Sequence, residues 1–517
     1  MRTNFANPDI RHVFVLMLEN RSFDHMLGFS GLSGIDADTG TMRPVNGASA
    51  NDVNVFNNTT FHLTTPADLI MPFDPGHEFP DVVEQLCGHG TQYLGGNYPS
   101  INNSGFVSNY ASTKSPGEGG ATSNFGEIMK CYAPGQLPVL TALAQEYAVC
   151  DNWFSSLPGP TWPNRFFVHA SSAGGLDHSP TTVDILDWEF LSGFKFANGN
   201  IFQSLTAHGK NWRIYRGVAS PLVGSIPPVA GLHGIKLSDT RPYENFTADV
   251  NGEYNFDYTF IEPNYGDIIS GSYSGGQSEH PMDDVASGEA LVKSTYEAIR
   301  NSPLWLSSLL IIPYDEHGGF YDHVAPQAAD APGDTQPGSK FNQFKFPFTR
   351  YGIRVPAIVI SAYTPENMIS GVLYDHSSIP ATLQTIFQLP SLTKRDGVAN
   401  DVTKLAALSQ ARNNTSTKLP AVNAAPPEAV AAAKKQQPAV NESLVSVDHG
   451  NLPGFLHVAL KARLETHTPS MAIEPLREET ADPLAKSMRD EIGFQVRTRA
   501  QARTYLEQHL PGLLGAK

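Results

Sequence analysis

Only three of the 517 residues are cysteine, and Cys87, Cys131 and Cys150 have neither CxxC nor zinc-ribbon spacing. That excludes a disulfide framework and a cysteine zinc site, leaving ordinary buried thiols. Positive charge is also short: 35 Lys and Arg face 51 Asp and Glu, a formal net charge of −16. This balance opposes the counterion release that drives nucleic-acid binding, so no nucleic-acid partner is expected. It also disfavours an anionic membrane surface, and peripheral membrane contact would need a local basic patch or a bridging metal ion. Long apolar runs are missing as well. The opening MRTNFANPDIRH has no apolar leader core, and the run from His12 to Leu18 is too short to span a bilayer. With an initial Met in place, the expectation is a chain with no signal peptide and no transmembrane segment, cytoplasmic or peripheral to a membrane.

Several common catalytic motifs are absent: GxxxxGK[ST], HExxH, GxSxG and a GxGxxG fingerprint. NTPase, zincin, serine-esterase and Rossmann-dehydrogenase readings lose their usual support.

What is present is 40% hydrophobic content, enough to bury a large core in one main domain with an appendage. HVFVLMLEN is an apolar run of strand length that ends in Glu19 and Asn20. SLLIIPYDEHGG repeats the design, with Asp315 and Glu316 at its end. RVPAIVIS, from Arg354, has a strand core but no terminal carboxylate. Residues Leu137 to Val149 and a stretch from Ala286 carry apolar residues at helical spacing, and another helix is predicted near Ser378 with Pro380 in its first turn. Alternating strands and helices point to an α/β sandwich with a mainly parallel central sheet. Long Gly/Asn/Ser/Pro-rich stretches at 29–125 and 218–285 read as functional insertions or covers. From residue 411 the composition turns to Ala, Pro, Gln and Lys, giving a catalytic domain over 1–410, a linker over 411–450 and a C-terminal helical tail over 451–517. The tail is expected either to pack as an appendage or to contact a membrane or partner.

The two strand ends carry the chemistry. Neighbouring parallel strands would bring Glu19-Asn20 and Asp315-Glu316 together at the carboxyl edge of the sheet, where ligands of open α/β sheets collect. Three carboxylates and an amide oxygen in one place require a cation, and all-oxygen donors suit a hard divalent ion such as calcium, magnesium or manganese. Nearby histidines keep zinc or iron open. Thr161, in SSLPGPTWPNRFF, suits the N-cap of a helix, where its hydroxyl would sit at the positive end of the helix dipole. A hydroxyl there, touching a divalent cation, can act as a nucleophile; the plainer reading is an ordinary capping threonine. His77, His280, His317 and His323 each lie near turn-forming stretches and carboxylates, and histidine can protonate a leaving group or donate to phosphoryl oxygens.

Six segments in order, VFVLMLENRSFDHMLG, DPGHEFPD, LPGPTWPNRFF, FIEPNYG, EHPMDDVASGE and YDEHGGFYDHVAP, resemble the bacterial and plant phosphoesterase family, which contains non-specific phospholipases C and a group of acid phosphatases. The resemblance covers about residues 10 to 390. It implies an alkaline-phosphatase-like α/β fold, one divalent metal ion held by Glu19, Asn20, Thr161, Asp315 and Glu316, and Thr161 as the nucleophile. His77 and His280 match family histidines lining the phosphate site. His317 and His323 lie in a matching motif without an assigned role, and His169, His208 and His233 are unranked candidates for further phosphate-site histidines. Threonine at the nucleophile leans toward the phospholipase branch, since the acid phosphatases have serine there. The leaderless layout resembles the plant-type enzymes and some bacterial relatives.

Three functions follow. The first is a phospholipase C that cleaves phospholipid to diacylglycerol and phospho-headgroup through a phosphothreonine, with His280 in preference to His77 as the leaving-group acid. The second is an acid phosphatase acting on small phosphomonoesters. The third is a catalytically silent lipid- or phosphate-binding protein.

Overall fold

In the computed structural model, residues 9–113, 124–187, 191–335, 338–448, 450–467 and 496–514 are described. A ten-stranded sheet forms the centre. Its spatial order is Met42–Pro44, Ser33–Asp36, Met368–Ser370, Ala148–Cys150, Ala357–Ser361, Ser308–Pro313, His12–Leu16, Tyr258–Glu262, Trp212–Arg216 and Thr240–Pro242. The central strands are buried along their whole length or nearly so, as their unbroken apolar runs require. Pairings are parallel, except where Ala357–Ser361 meets its two neighbours and where Ser33–Asp36 meets Met42–Pro44. The mainly parallel α/β architecture expected from the sequence is therefore present.

Helices cover both faces. Phe14 meets Phe246 of helix Phe246–Asn251 edge-on, with ring centroids 6.1 Å apart. Phe260, which is paired with Val15, meets His169 of helix Thr161–Ala170 at 4.7 Å. Successive strand residues point to opposite faces, so Phe14 and Val15, and with them the two helices, lie on opposite sides of the sheet.

One expectation changes in detail, and another finds its physical reason. The helix expected over Leu137 to Val149 ends at Glu146, and Ala148–Cys150 is a strand wedged between Ala357–Ser361 and Met368–Ser370. Tyr147 is extended and ends the helix, because a short apolar run satisfies a helix face and a buried strand equally well until its neighbours are in place. The strand Ala357–Ser361 explains its missing carboxylate. It runs antiparallel to Ser308–Pro313, with Pro313 opposite Ala357 and Leu309 opposite Ser361, so its carboxyl end lies at the other edge of the sheet.

The C-terminal region lies on this core. Backbone carbonyls of Thr415, Ser416 and Thr417 accept hydrogen bonds from Arg300, Tyr296 and Asn301. Beyond them come helices Pro427–Lys434, Leu452–His467 and Arg499–Leu513. No helix among the described residues is long and apolar enough to cross a membrane.

Candidate active site

The two carboxylate-bearing strand ends meet. His12–Leu16 and Ser308–Pro313 pair in parallel with Val15 opposite Ile311, and a further bridge joins Leu18 to Tyr314. Glu19-Asn20 and Asp315-Glu316 thus leave the sheet at the same level. The backbone N–H of Asn20 donates to Asp315 Oδ1 at 3.0 Å, and its side-chain amide contacts Glu316 Oε1. Asn20 itself adopts a left-handed backbone conformation, φ 58°, which suits asparagine at a sharp exit from a strand.

Thr161 is the first residue of helix Thr161–Ala170, with Pro160 in the capping position expected for Thr161 itself. The side chain of Asn164 ties the turn together, accepting from the Leu157 N–H and donating to the carbonyls of Gly159 and Pro160. Because Asn164 organises the turn, the Thr161 hydroxyl makes no capping bond and is left for other partners. Its Oγ1 accepts from the side-chain amides of Asn20 and Asn451, each at 3.4 Å. Thr161 is buried, 1% exposed.

Arg165, one helical turn beyond Thr161, enters the same cluster. Its Nε meets Asp315 Oδ2 at 3.0 Å, Nη1 lies 3.5 Å from Glu262 Oε2 and Nη2 lies 3.9 Å from Glu19 Oε1. One guanidinium cannot neutralise this much buried carboxylate. Burial pushes Glu19 up to about 8 and Asp315 up to about 7, despite Arg165. Burial opposes ionisation of Glu316 too, but His77, the His317 ring at 3.2 Å and the Gly318 N–H at 2.8 Å hold it below its ordinary value. Both carboxylate oxygens of Glu19 and Oδ1 of Asn20 are buried without a hydrogen-bond partner. Orphaned hard oxygen donors beside under-neutralised carboxylates fit a divalent cation at Glu19 and Asn20; Asp315, Glu316 and Thr161, the other residues expected to hold it, belong to the same buried cluster with their oxygens already hydrogen-bonded.

A second group of possible ligands, Asp24, Asp322 and His323, brings one atom each within 4.8 Å of the others. A cation is already there: the fully buried Arg354 pairs with Asp24 at 2.8 Å and Asp322 at 3.1 Å. His323 Nδ1 completes the set at 2.7 Å from Asp24. The arrangement is a satisfied ion-pair network that anchors the loop after Glu316.

His77 and His280 come together, with rings 6.2 Å apart. His280 is fully buried, stacked on Tyr273 with centroids 3.3 Å apart. Its Nδ1 accepts from the Met282 N–H, and Nε2 lies 3.8 Å from Asp74 without a hydrogen-bond partner. Burial, then the charges of His77 and Arg21, push His280 well below its ordinary value, so it is a neutral donor through Nε2. His77 is its opposite. Burial disfavours the imidazolium, yet Glu316, Asp74, Glu78 and Asp81 outweigh this and raise it to about 9. Its Nδ1 is held by the Pro75 carbonyl at 2.9 Å.

The remaining candidate histidines have other partners. His169 packs between Phe202 and Phe260 on the sheet-facing side of the Thr161 helix. His208 is exposed and bonded to the Ser204 carbonyl, and His233 to the Ser192 carbonyl. His317 bridges Glu316 and Gln85. Residues overlooked in the sequence are Arg165, Glu262, Asp74, Tyr273, His376 and Asn451. Arg165 had a signal, since it stands four positions after Thr161 on the same helix. His376, whose Nε2 meets the Asp315 carbonyl at 2.6 Å, and Asn451 had none.

The phosphoesterase family model matches residues 10–390. The chain is 36% identical over 412 residues to non-specific phospholipase C6 of Arabidopsis thaliana, covering 75% of this chain and 71% of that one. It is 34% identical over 436 residues to non-specific phospholipase C3 of the same plant, covering 80% and 76%. Among solved structures, a protein of the alkaline phosphatase superfamily from Vibrio parahaemolyticus is similar at 14% identity and a TM-score of 0.30, over 52% of this chain and 64% of that one.

Proposed function

The chain belongs to the phosphoesterase family and is a hydrolytic phosphoesterase; from that premise we propose that it is a phospholipase C that splits phospholipid into diacylglycerol and phospho-headgroup, with Thr161 as nucleophile. One observation carries the reading: two strand ends remote in sequence meet, and Asn20 of one of them reaches the Oγ1 of a helix-leading threonine. The relatives named non-specific phospholipase C favour the diester substrate.

The Thr161 oxygen attacks phosphorus in line, a phosphothreonine forms as the bond to the diacylglycerol oxygen breaks, and water then releases the phospho-headgroup. The N-terminus of helix Thr161–Ala170 presents backbone N–H groups to the transferring phosphoryl group. A divalent ion held by Glu19, Asn20, Asp315 and Glu316, when bound, would supply positive charge to the attacking oxygen and the phosphoryl group. His77 is the better acid for the leaving oxygen, because it carries a proton that Glu316 and Asp74 favour, while the neutral Nε2–H of His280 donates to a phosphoryl oxygen. This reverses the order of the two histidines expected from the sequence. Arg165 holds Asp315 and Glu19 in place.

The test is release of diacylglycerol from phosphatidylcholine micelles beside hydrolysis of p-nitrophenyl phosphate, each with chelator and with Thr161→Ala. The reading predicts diacylglycerol release that outpaces the monoester reaction and disappears in both controls. Monoester turnover alone would make the protein a phosphatase, and neither activity would make it a binding protein.

A further inference from the structure

Asn451 immediately precedes helix Leu452–His467 and lies well beyond residue 390, where the family match ends. Even so, it reaches the nucleophile. Its Nδ2 donates to Thr161 Oγ1 at 3.4 Å, and the same amide lies against the phenol oxygen of Tyr273, whose ring stacks on His280. The residue is 3% exposed, and its Oδ1 has no hydrogen-bond partner. The unpaired Oδ1 is an acceptor and takes no part in holding a phosphoryl oxygen; the contact that bears on the chemistry is made by the donor Nδ2.

The segment is held firmly. Phe455 packs edge-on against Trp162, the neighbour of Thr161, at 5.7 Å, and against Tyr265 at 5.2 Å. Gly454 lies so close to the indole that a Cβ there would fall 2.2 Å from Trp162 Cε2. Lys461 Nζ donates to the Ile235 carbonyl at 2.5 Å, and Asp448 accepts from the Thr182 N–H at 2.6 Å. This anchoring also brings the N-terminus of a second helix beside Thr161, a favourable setting for an anion.

We propose that Asn451 is a working residue of the active site: its side-chain amide holds Oγ1 of Thr161 for attack and donates to an oxygen of the phosphoryl group during transfer. The C-terminal segment thereby supplies part of the phosphate site. The inference rests on the assignment of Thr161 as nucleophile. No bond or proton changes at Asn451; the Thr161 hydroxyl gives its proton to water as its Oγ bonds to phosphorus, and the bond broken releases the diacylglycerol oxygen, which takes its proton from His77.

The experiment uses the full chain with Asn451→Ala, reading turnover of phosphatidylcholine micelles and the rise in melting temperature caused by orthovanadate, which mimics the five-coordinate phosphoryl group. Loss of a donor aimed at developing charge should lower kcat about 100-fold with a much smaller change in KM. The vanadate-induced shift should also vanish, while the melting temperature without vanadate stays within about 2 °C of wild type. Should Asn451→Ala melt well below wild type, Asn451→Asp, which keeps the shape and removes the donor, is read in its place. A vanadate shift and kcat within about threefold of wild type would overturn the proposal, and so would a raised kcat, the result expected of a tail that only blocks the site. Thr161→Ala separates the two levels. Full activity in that variant removes the nucleophile assignment, whereas an inactive Thr161→Ala beside a fully active Asn451→Ala removes only the role of Asn451.

Discussion

The backbone N–H of Asn20 donates to Oδ1 of Asp315 at 3.0 Å, so the last residue of one strand run is hydrogen-bonded to the first carboxylate of another. This bond fixes the spacing of the two pairs of metal-capable side chains. Asp315 Oδ2 is meanwhile taken by Arg165, which leaves the Glu19 carboxylate and Asn20 Oδ1 without hydrogen-bond partners.

Those orphaned oxygens predict that a divalent ion stabilises the fold. An ion present at about 100 times its dissociation constant adds about 2.7 kcal/mol. Chelator-treated protein should melt lower and recover on addition of the ion, and Glu19→Gln should recover much less. Identical melting curves for wild type and Glu19→Gln across a metal titration would contradict the assignment.

Arg165→Met should be among the most damaging substitutions of similar volume. It leaves Asp315, Glu262 and Glu19 buried without their shared counter-charge, and breaking a buried pair from one side costs about 3–5 kcal/mol. Urea denaturation would measure the loss, and saturating divalent ion should recover part of it.

At the tail, Gly454→Ala tests the packing of helix Leu452–His467 on Trp162. The added methyl would overlap the fully buried indole, so about 1–3 kcal/mol of stability should be lost. Turnover should fall as well, because Asn451 moves with the helix end. Calorimetric melting and a kcat measurement on the same sample check both parts.

His178 provides a pH signature away from the Glu19–Asp315 cluster. Burial disfavours its charged form, but Asp177 at 3.2 Å and Asp184 at 3.0 Å prevail and raise it to about 9 from 6.5. A group raised on folding contributes fully below its unfolded value and loses that contribution as pH climbs through the folded one. Up to about 3 kcal/mol should therefore disappear between about pH 6.5 and 9. The stability difference between wild type and His178→Gln, followed by urea denaturation across that window, should shrink accordingly; a flat difference would refute it.

The sheet was legible in the sequence because its central strands are unbroken apolar runs, and the metal-capable residues were legible because each pair ends such a run. The spacing of apolar residues follows the period of each local element, so the pattern is written locally. The direction of Ala357–Ser361 and the strand at Ala148–Cys150 were not legible, since an apolar stretch does not record which neighbours it pairs with. Histidine roles were open for the same reason: His77 and His280 differ in the charges that surround each ring, and those charges come from several distant segments.

The sequence by itself determined the α/β class, the two strand-end pairs and Thr161 at the head of a helix, all products of short-range periodicity and turn chemistry. Only the tertiary structure decided that Arg165 would be shared among three carboxylates, that Arg354 would occupy the Asp24–Asp322 group, and that Asn451 would reach Thr161. Each of these depends on long-range packing of polar side chains, whose partners are set by where the backbone has already been carried and not by their neighbours in the chain.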